Sequence, residues 1–420
     1  MLIEHHEIFF WLAVCAGGLM AWGIGANDVS NAMGTSIGSK AITLGQAIII
    51  AGIFEFLGAL IAGSQVTHTI RQKIISPDIF ANDPDIFILG MLSALFAAAA
   101  WLLAASIRGW PVSTTHTIVG AIIGFGISEA GFGAIEWEFV LSIIFSWVLS
   151  PFLGGVIAYL TFISTQNLIF LRSDPILQAK KWIPTYILIT GFIVSVISLS
   201  RLDNIGIQLN TQQTMALAAI ISLVLYGIAY IGIGHMKIES KGKRRLQYIN
   251  VEKIFAILMV FTACAMAFAH GSNDVANAIG PVAAIISALD QNNPSLAEHT
   301  AYVPLWILLL GGCGIVVGLA TYGHKVIATV GSKITQLTPS RGFAATIATA
   351  MVVTLASSSG LPISTTHTLV GAIFGVGIAK GIEALNLQVI KAILMSWIIT
   401  LPIGAVLCIL FLKIFKLIFI

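Results

Sequence analysis

An all-α polytopic membrane fold is predicted by three observations: a scarcity of charge, apolar runs of bilayer length, and one polar pattern written twice. Of the 420 residues, 57% are hydrophobic and 9% charged, with a mean hydropathy of +0.97, whereas soluble domains carry roughly 25% charge. A lipid bilayer is the solvent this composition suits. A membrane helix needs about 20 apolar residues. Runs of that kind recur from near Glu7 to the C-terminus, among them 86–107, 138–163, 183–200, 212–234 and 303–322. On that criterion about 12 segments cross the membrane. A barrel would show short alternating strands, but these runs are continuous and rich in Leu, Ile, Ala and Gly.

The formal net charge is a modest +3, which gives no reason to expect a nucleic-acid partner. Its clearest concentration is Lys237, Lys241, Lys243, Arg244, Arg245 and Lys253, and the positive-inside rule places that connection in the cytoplasm. Cys15, Cys264, Cys313 and Cys408 stand singly within apolar runs and read as packing residues, not disulfides or metal ligands. The first residues lack the basic stretch of a signal peptide, so the first apolar run is expected to be a retained span.

The duplication organises the chain. GANDVSNAMG at 25–34 returns as GSNDVANAIG at 271–280, with seven of ten positions identical. PVSTTHTIVGAIIG at 111–124 returns as PISTTHTLVGAIFG at 362–375, with eleven of fourteen identical. Weaker echoes follow in the same order, Ser146-Trp147 with Ser396-Trp397 and Pro151 with Pro402. Two copies of one unit are expected, a first repeat at 1–165 and a second at 251–420, joined by connecting helices and the basic loop at 166–250. An odd number of apolar runs between the Asn-Asp motifs makes the repeats inverted, as in many secondary transporters. Flanking glycines (Gly23, Gly25, Gly34 and Gly38; Gly271 and Gly280-Pro281) are expected to break or re-enter the helices around the polar clusters.

Each half offers a carboxylate and two amides within one helical turn: Asn27, Asp28 and Asn31, then Asn273, Asp274 and Asn277. A charge at membrane depth costs several kcal/mol and usually faces a cavity, a partner or an ion path. A helix cap or interhelical hydrogen bond would explain one such aspartate, but less readily a duplicated cluster. In the second motif Pro111 suits the first position of a helix, which puts Ser113, Thr114 and Thr115 in its first turn. Amides there lack intrahelical acceptors and stand at the positive end of the dipole, so with three hydroxyls they suit an anion. Pro362, Ser364, Thr365 and Thr366 repeat the arrangement, and His116 and His367 are expected to donate from behind the ligands. The plainer reading is that small hydroxylated residues let membrane helices approach closely. Hydroxyl and amide donors beside carboxylates suit an oxyanion that still carries a proton, as phosphate does and sulfate does not. The oxygen-rich set could also hold a hard monovalent cation.

On these motifs the chain resembles the inorganic phosphate transporter (PiT) family. Phe54-Glu55 with Gly58, Lys333-Ile334-Thr335 and Leu337-Thr338-Pro339-Ser340-Arg341-Gly342-Phe343 add to the likeness, which runs over nearly the whole chain. The resemblance implies an inverted-repeat helical fold, often dimeric, in the plasma (inner) membrane. It implies phosphate import by symport with sodium or protons, and GTSIGSKAIT at 34–43 with the following Phe-Glu leans towards sodium. It assigns phosphate contacts to Asp28, Ser113, Thr114, Asp274, Ser364 and Thr365, with Thr115 and Thr366 close by, and a cation, sodium foremost, to Asn27, Asn31, Asn273, Asn277 and Glu55. One departure stands out: Thr346 lies where many members carry a glutamate, leaving Glu55 without an acidic counterpart. Metal-phosphate symport and a sulfate carrier are the nearest alternatives, and a channel built from the same halves is another. An intramembrane hydrolase using Ser and His three apart has no recognisable oxyanion motif and no reason for duplication, so no enzymatic activity or cofactor is expected.

Overall fold

The computed structural model describes residues 6–202, 206–236, 244–289, 303–323, 326, 337–381 and 387–420, with side chains left aside at 387–394, 396 and 397. Lys237, Lys241 and Lys243 of the basic connection and Lys333-Ile334-Thr335 lie outside the described residues. The described residues form fourteen α-helices. In the first half these are α1 (His6–Asn27), α2 (Val29–Gly38), α3 (Leu44–Ala62), α4 (Ser64–Gln72), α5 (Pro84–Ile107), α6 (Thr114–Ala130) and α7 (Trp137–Thr165). Then come α8 (Pro175–Leu199) and α9 (Thr211–Gly234), followed by α10 (Arg244–Leu289), α11 (Leu305–Tyr322), α12 (Pro339–Ser358), α13 (Thr365–Lys380) and α14 (Leu387–Phe419). Ten candidate spans are long and apolar enough to cross a membrane among the described residues. The two helices that follow the Ser-Thr-Thr motifs, α6 and α13, are shorter and start in the protein interior, where their first residues are buried.

Helix starts follow local chemistry. Thr43 and Gln46 close a reciprocal cap on α3, and Asn210 and Gln213 do the same on α9. Asp83 and Asp174 cap α5 and α8, each with proline at the first helical position. Glu252 of α10 caps α12 from a distance, accepting from the Ser340 amide at 2.8 Å and its hydroxyl at 2.7 Å.

The halves are interleaved through glycine contacts. Gly25 of α1 lies against the Ile315 carbonyl of α11, and Gly318 of α11 against the Trp22 carbonyl of α1. In the same register Gly271 of α10 meets the Glu55 carbonyl of α3, and Gly58 of α3 the Phe268 carbonyl of α10. Each motif helix thus packs on a helix of the other half, α1 on α11 and α10 on α3. The same exchange joins α6 to α14, with Gly120 at the Leu401 carbonyl, and α13 to α7, with Gly371 at the Pro151 carbonyl. Close approach of this kind is what small residues provide where lipid gives no hydrophobic drive. Along α1 and α10 the contacts run in opposite senses: Gly17 meets Val282, while Asp28 lies beside Asp274. The repeats are therefore inverted. α8 and α9 pack on each other and flank this core, with 28% and 22% of their most apolar stretches buried against 72% for α10.

Two expectations are corrected. Near the first motif the helix is interrupted at Asp28, but α10 runs unbroken through Gly271, Gly280 and Pro281. Those glycines serve packing: Gly280 admits Ile70 of α4, as Gly271 admits α3. Nor is either proline the first helical residue, since α6 and α13 begin at Thr114 and Thr365 with Ser113 and Ser364 as caps. The serine side chains accept from the His116 and His367 amides at 3.2 and 3.3 Å, and that bond sets the start three residues past each proline.

The interleaving is tested by paired substitutions. Gly318→Ala, whose methyl would overlap the Trp22 backbone, should lower the thermal unfolding midpoint in detergent, as overpacking costs about 1–3 kcal/mol. Gly227→Ala, with nothing within 4 Å, should leave it unchanged or raise it; equal effects of the two would contradict the packing described.

Candidate functional site

Asp28, Asn27, Asn31, Asp274, Asn273, Asn277, Glu55 and the residues Ser113, Thr114, Thr115, Ser364, Thr365 and Thr366 are each at most 2% exposed. They come from α1, α2, α3, α6, α10 and α13 and converge where the halves interleave. A left-handed glycine sets up each second motif, Gly109 (φ 65°) and Gly360 (φ 71°), two residues before the proline. The turn lets α5 and α12 end and the chain enter α6 and α13 in the interior.

The aspartates face these helix starts. Thr114 donates to Asp28 Oδ2, and Thr365 donates to Asp274 Oδ2 at 3.0 Å. The next threonines tie the halves together: Asn31 donates to Thr366 at 2.7 Å and Asn277 to Thr115 at 3.2 Å. Thr115 in turn donates to the Ile363 carbonyl at 3.1 Å and Thr366 to the Val112 carbonyl at 3.3 Å. Every one of these bonds has its counterpart in the other half, so the pseudo-symmetry reaches the side chains. The amides of Thr114, Thr115, Thr365 and Thr366, at the first two positions of their helices, have no acceptor within the helix.

Asn27 and Asn273 hold the incoming loops. Asn27 donates to Ser106 at 3.1 Å and to the Trp110 carbonyl at 3.0 Å, and accepts from the Val112 amide at 3.3 Å. Asn273 donates to the Ile363 carbonyl at 2.8 Å and to Asp274 at 2.6 Å, and accepts from Ser357 at 3.3 Å. Ser106 and Ser357 were not among the expected residues. They belong to the repeat, which extends upstream of each proline as Ala-Ser-x-x-Gly-x-Pro, at 105–111 and 356–362.

Symmetry fails in charge as well as in the break at Asp28. His270 lies between Glu55 Oε1 at 3.2 Å and Asp274 Oδ2 at 2.8 Å, a buried carboxylate–imidazole–carboxylate chain. His270 was also missed, although its place four residues before Asp274 puts both on one helix face. Its counterpart in the first half is Ile24, and the residue matching Glu55 by packing register is Ile315. Thr346, the departure noted in the sequence, is thus not at the position matching Glu55; its hydroxyl meets Thr35 at 2.7 Å. The rings of His116 and His367 lie 4.2 Å apart, with His116 on Trp147 at 3.7 Å.

Ligand oxygens of Asp28 and Asp274 and a nitrogen of His270 lie within 4.8 Å of one another. Asp28 Oδ1, Asn31 Oδ1 and Asn277 Oδ1 are buried without donors. The site therefore combines amides and hydroxyls able to bind an oxyanion with carbonyl and carboxylate oxygens able to bind a hard cation.

Residues 24–408 match the phosphate transporter family. A Haemophilus influenzae protein named as a phosphate permease is 51% identical over 421 residues, covering 100% of this chain and 99% of its own. The chloroplastic inorganic phosphate transporter 2-1 of Arabidopsis thaliana is 41% identical, covering 97% of this chain and 72% of its own. A solved structure named as the sodium-dependent phosphate transporter superposes with a TM-score of 0.91 at 39% identity, over 98% of this chain and 100% of that one. By sequence, by fold and by the duplicated motifs at its centre, this chain belongs to the phosphate transporter family.

Proposed function

We propose that the protein imports inorganic phosphate across the cell's plasma membrane by symport with sodium. The observation that carries this reading is the pairing of two acids with two interior helix starts. Asp28 and Asp274 are each held by the first threonine of a helix whose leading amides have no intrahelical acceptor. A tetrahedral anion between α6 and α13 receives hydrogen bonds from Thr114, Thr115, Thr365 and Thr366, with Ser113 and Ser364 fixing the helix starts. A phosphate P–OH donates to an ionised aspartate, whereas sulfate presents only acceptors to a repelling carboxylate. In a competition assay unlabelled phosphate should suppress labelled uptake and equimolar sulfate should not; equal inhibition would defeat this basis for selectivity.

An anion beside ionised aspartates leaves excess negative charge in a buried site, which favours a cation travelling with it. The donorless oxygens of Asp28, Asn31 and Asn277 are of the right type for sodium, with Asn27, Asn273 and Glu55 supporting them. Every one of these residues is buried, so release requires the site to open, and inverted halves supply two equivalent ways of opening it, one to each side. Proton coupling is the second reading, favoured by one observation: His270 bridges Glu55 and Asp274 and can carry a proton between them. Uptake with choline replacing sodium at fixed pH should collapse; unchanged uptake would reject sodium in favour of the proton.

Asp28→Asn and Asp274→Asn keep size and remove charge. Each should cut phosphate accumulation about 10- to 100-fold, matching a charged hydrogen bond worth about 1.5–3 kcal/mol, with the folded protein still present in the membrane. Wild-type uptake in both variants would overturn the site assignment.

A further inference from the structure

One buried charge has no part in this pocket. The segment between Glu55 and Asp78 contains no acidic residue but carries His68 and Arg71 on α4, with Lys73 just past its end. Arg71 is 4% exposed. Among the described residues its guanidinium makes no hydrogen bond or ion pair, and Nη2 is buried without an acceptor. Nε2 of the adjacent Gln72 is buried without an acceptor as well. Burial lowers the Arg71 pKa with no carboxylate opposing it, and burial followed by the Lys73 and Arg71 charges lowers that of His68. An enclosed guanidinium without an acceptor is costly, and the described residues supply none.

Its placement joins it to the pocket. α4 follows Glu55's helix directly at Gly63, where the backbone passes the side chain of Val275, next to Asp274. Further along, Thr67 and Ile70 pack against Gly280 of α10. Thr69 donates to the Gly360 carbonyl at 2.7 Å, on the loop that leads into α13. Arg71 comes next after Ile70, and Lys73 beyond it is exposed. The helix therefore runs from the level of Asp274 towards solvent, with its basic residues at the outer end.

We propose that Arg71, with the Gln72 amide, forms an accessory oxyanion site on the path between solvent and the central pocket, occupied by phosphate in transit. The proposal rests on the phosphate reading above for the identity of the anion. A guanidinium offers forked donors that match an oxyanion's edge. Because no carboxylate among the described residues pairs with it, this site does not discriminate phosphate from sulfate; that selection belongs to Asp28 and Asp274.

Labelled phosphate uptake into proteoliposomes tests the proposal. Arg71→Gln should raise KM for phosphate about tenfold while leaving the maximal rate within about twofold, and Arg71→Lys should fall between, since the charge is kept but the fork is lost. Sulfate in large excess should raise the apparent KM of the wild type and have no effect on Arg71→Gln. A wild-type KM in Arg71→Gln, or an equal loss of maximal rate in both variants with KM unchanged, overturns the proposal in favour of a purely structural arginine. If Arg71→Gln does not reach the membrane, a wild-type KM in Arg71→Lys together with no sulfate effect on wild-type KM overturns it too. Absence of phosphate uptake by the wild type would instead sink the phosphate reading. The accessory site is then judged by thermal stabilisation with sulfate, expected in the wild type and absent in Arg71→Gln, and contradicted by equal stabilisation of the two.

Discussion

Two carboxylates buried at the junction of inverted repeats, each hydrogen-bonded to the leading threonine of a helix that starts inside the protein, constrain everything else in this structure. Burying such acids is costly, and the fold offsets the cost by aiming helix N-termini at them and by closing α6 and α13 around the same space. Because each acid is carried on one half and part of its supporting scaffold on the other, the site exists only where the halves meet. Asn31 and Asn277 make that dependence explicit, each reaching from its own motif to a threonine of the opposite repeat.

The exchange of helices between halves gives the site its rigidity and its means of motion. α1 is bound to α11 and α10 to α3 by glycine contacts so close that a methyl group would collide with backbone. Contacts this close favour each pair behaving as a unit, and inverted halves of this kind underlie alternating access in secondary transporters. Beyond the break at Asp28, the halves differ in charge: Glu55 and His270 stand where the opposite halves have Ile315 and Ile24. The two aspartates are therefore unequal, Asp274 being tied to a titratable chain and Asp28 having threonine as its hydrogen-bond partner. That inequality makes the two sides of the site chemically distinct.

Much of this was legible in the residues. The repeated Asn-Asp and Ser-Thr-Thr segments named the groups that now lie together, because a side chain's chemistry and its helical spacing are local properties. What escaped was tertiary. Nothing in Gly271 or Gly280 distinguishes a glycine that breaks a helix from one that admits a neighbour, and here both admit neighbours. The serine caps displaced the helix starts past their prolines because a side chain competed successfully for the third amide. His270 reads as an isolated histidine until α3 brings Glu55 to its other nitrogen, and Ile315 becomes the match of Glu55 only when packing register replaces sequence order.

The central claim is that both clusters form one pocket for one tetrahedral anion. Arsenate has phosphate's shape and protonation pattern and can be located by its anomalous scattering in crystals of the sodium-loaded protein. The account predicts a single arsenic peak between the starts of α6 and α13, within hydrogen-bonding reach of Thr114 and Thr365. Separate peaks at the two motifs, or one remote from Asp28 and Asp274, would contradict it.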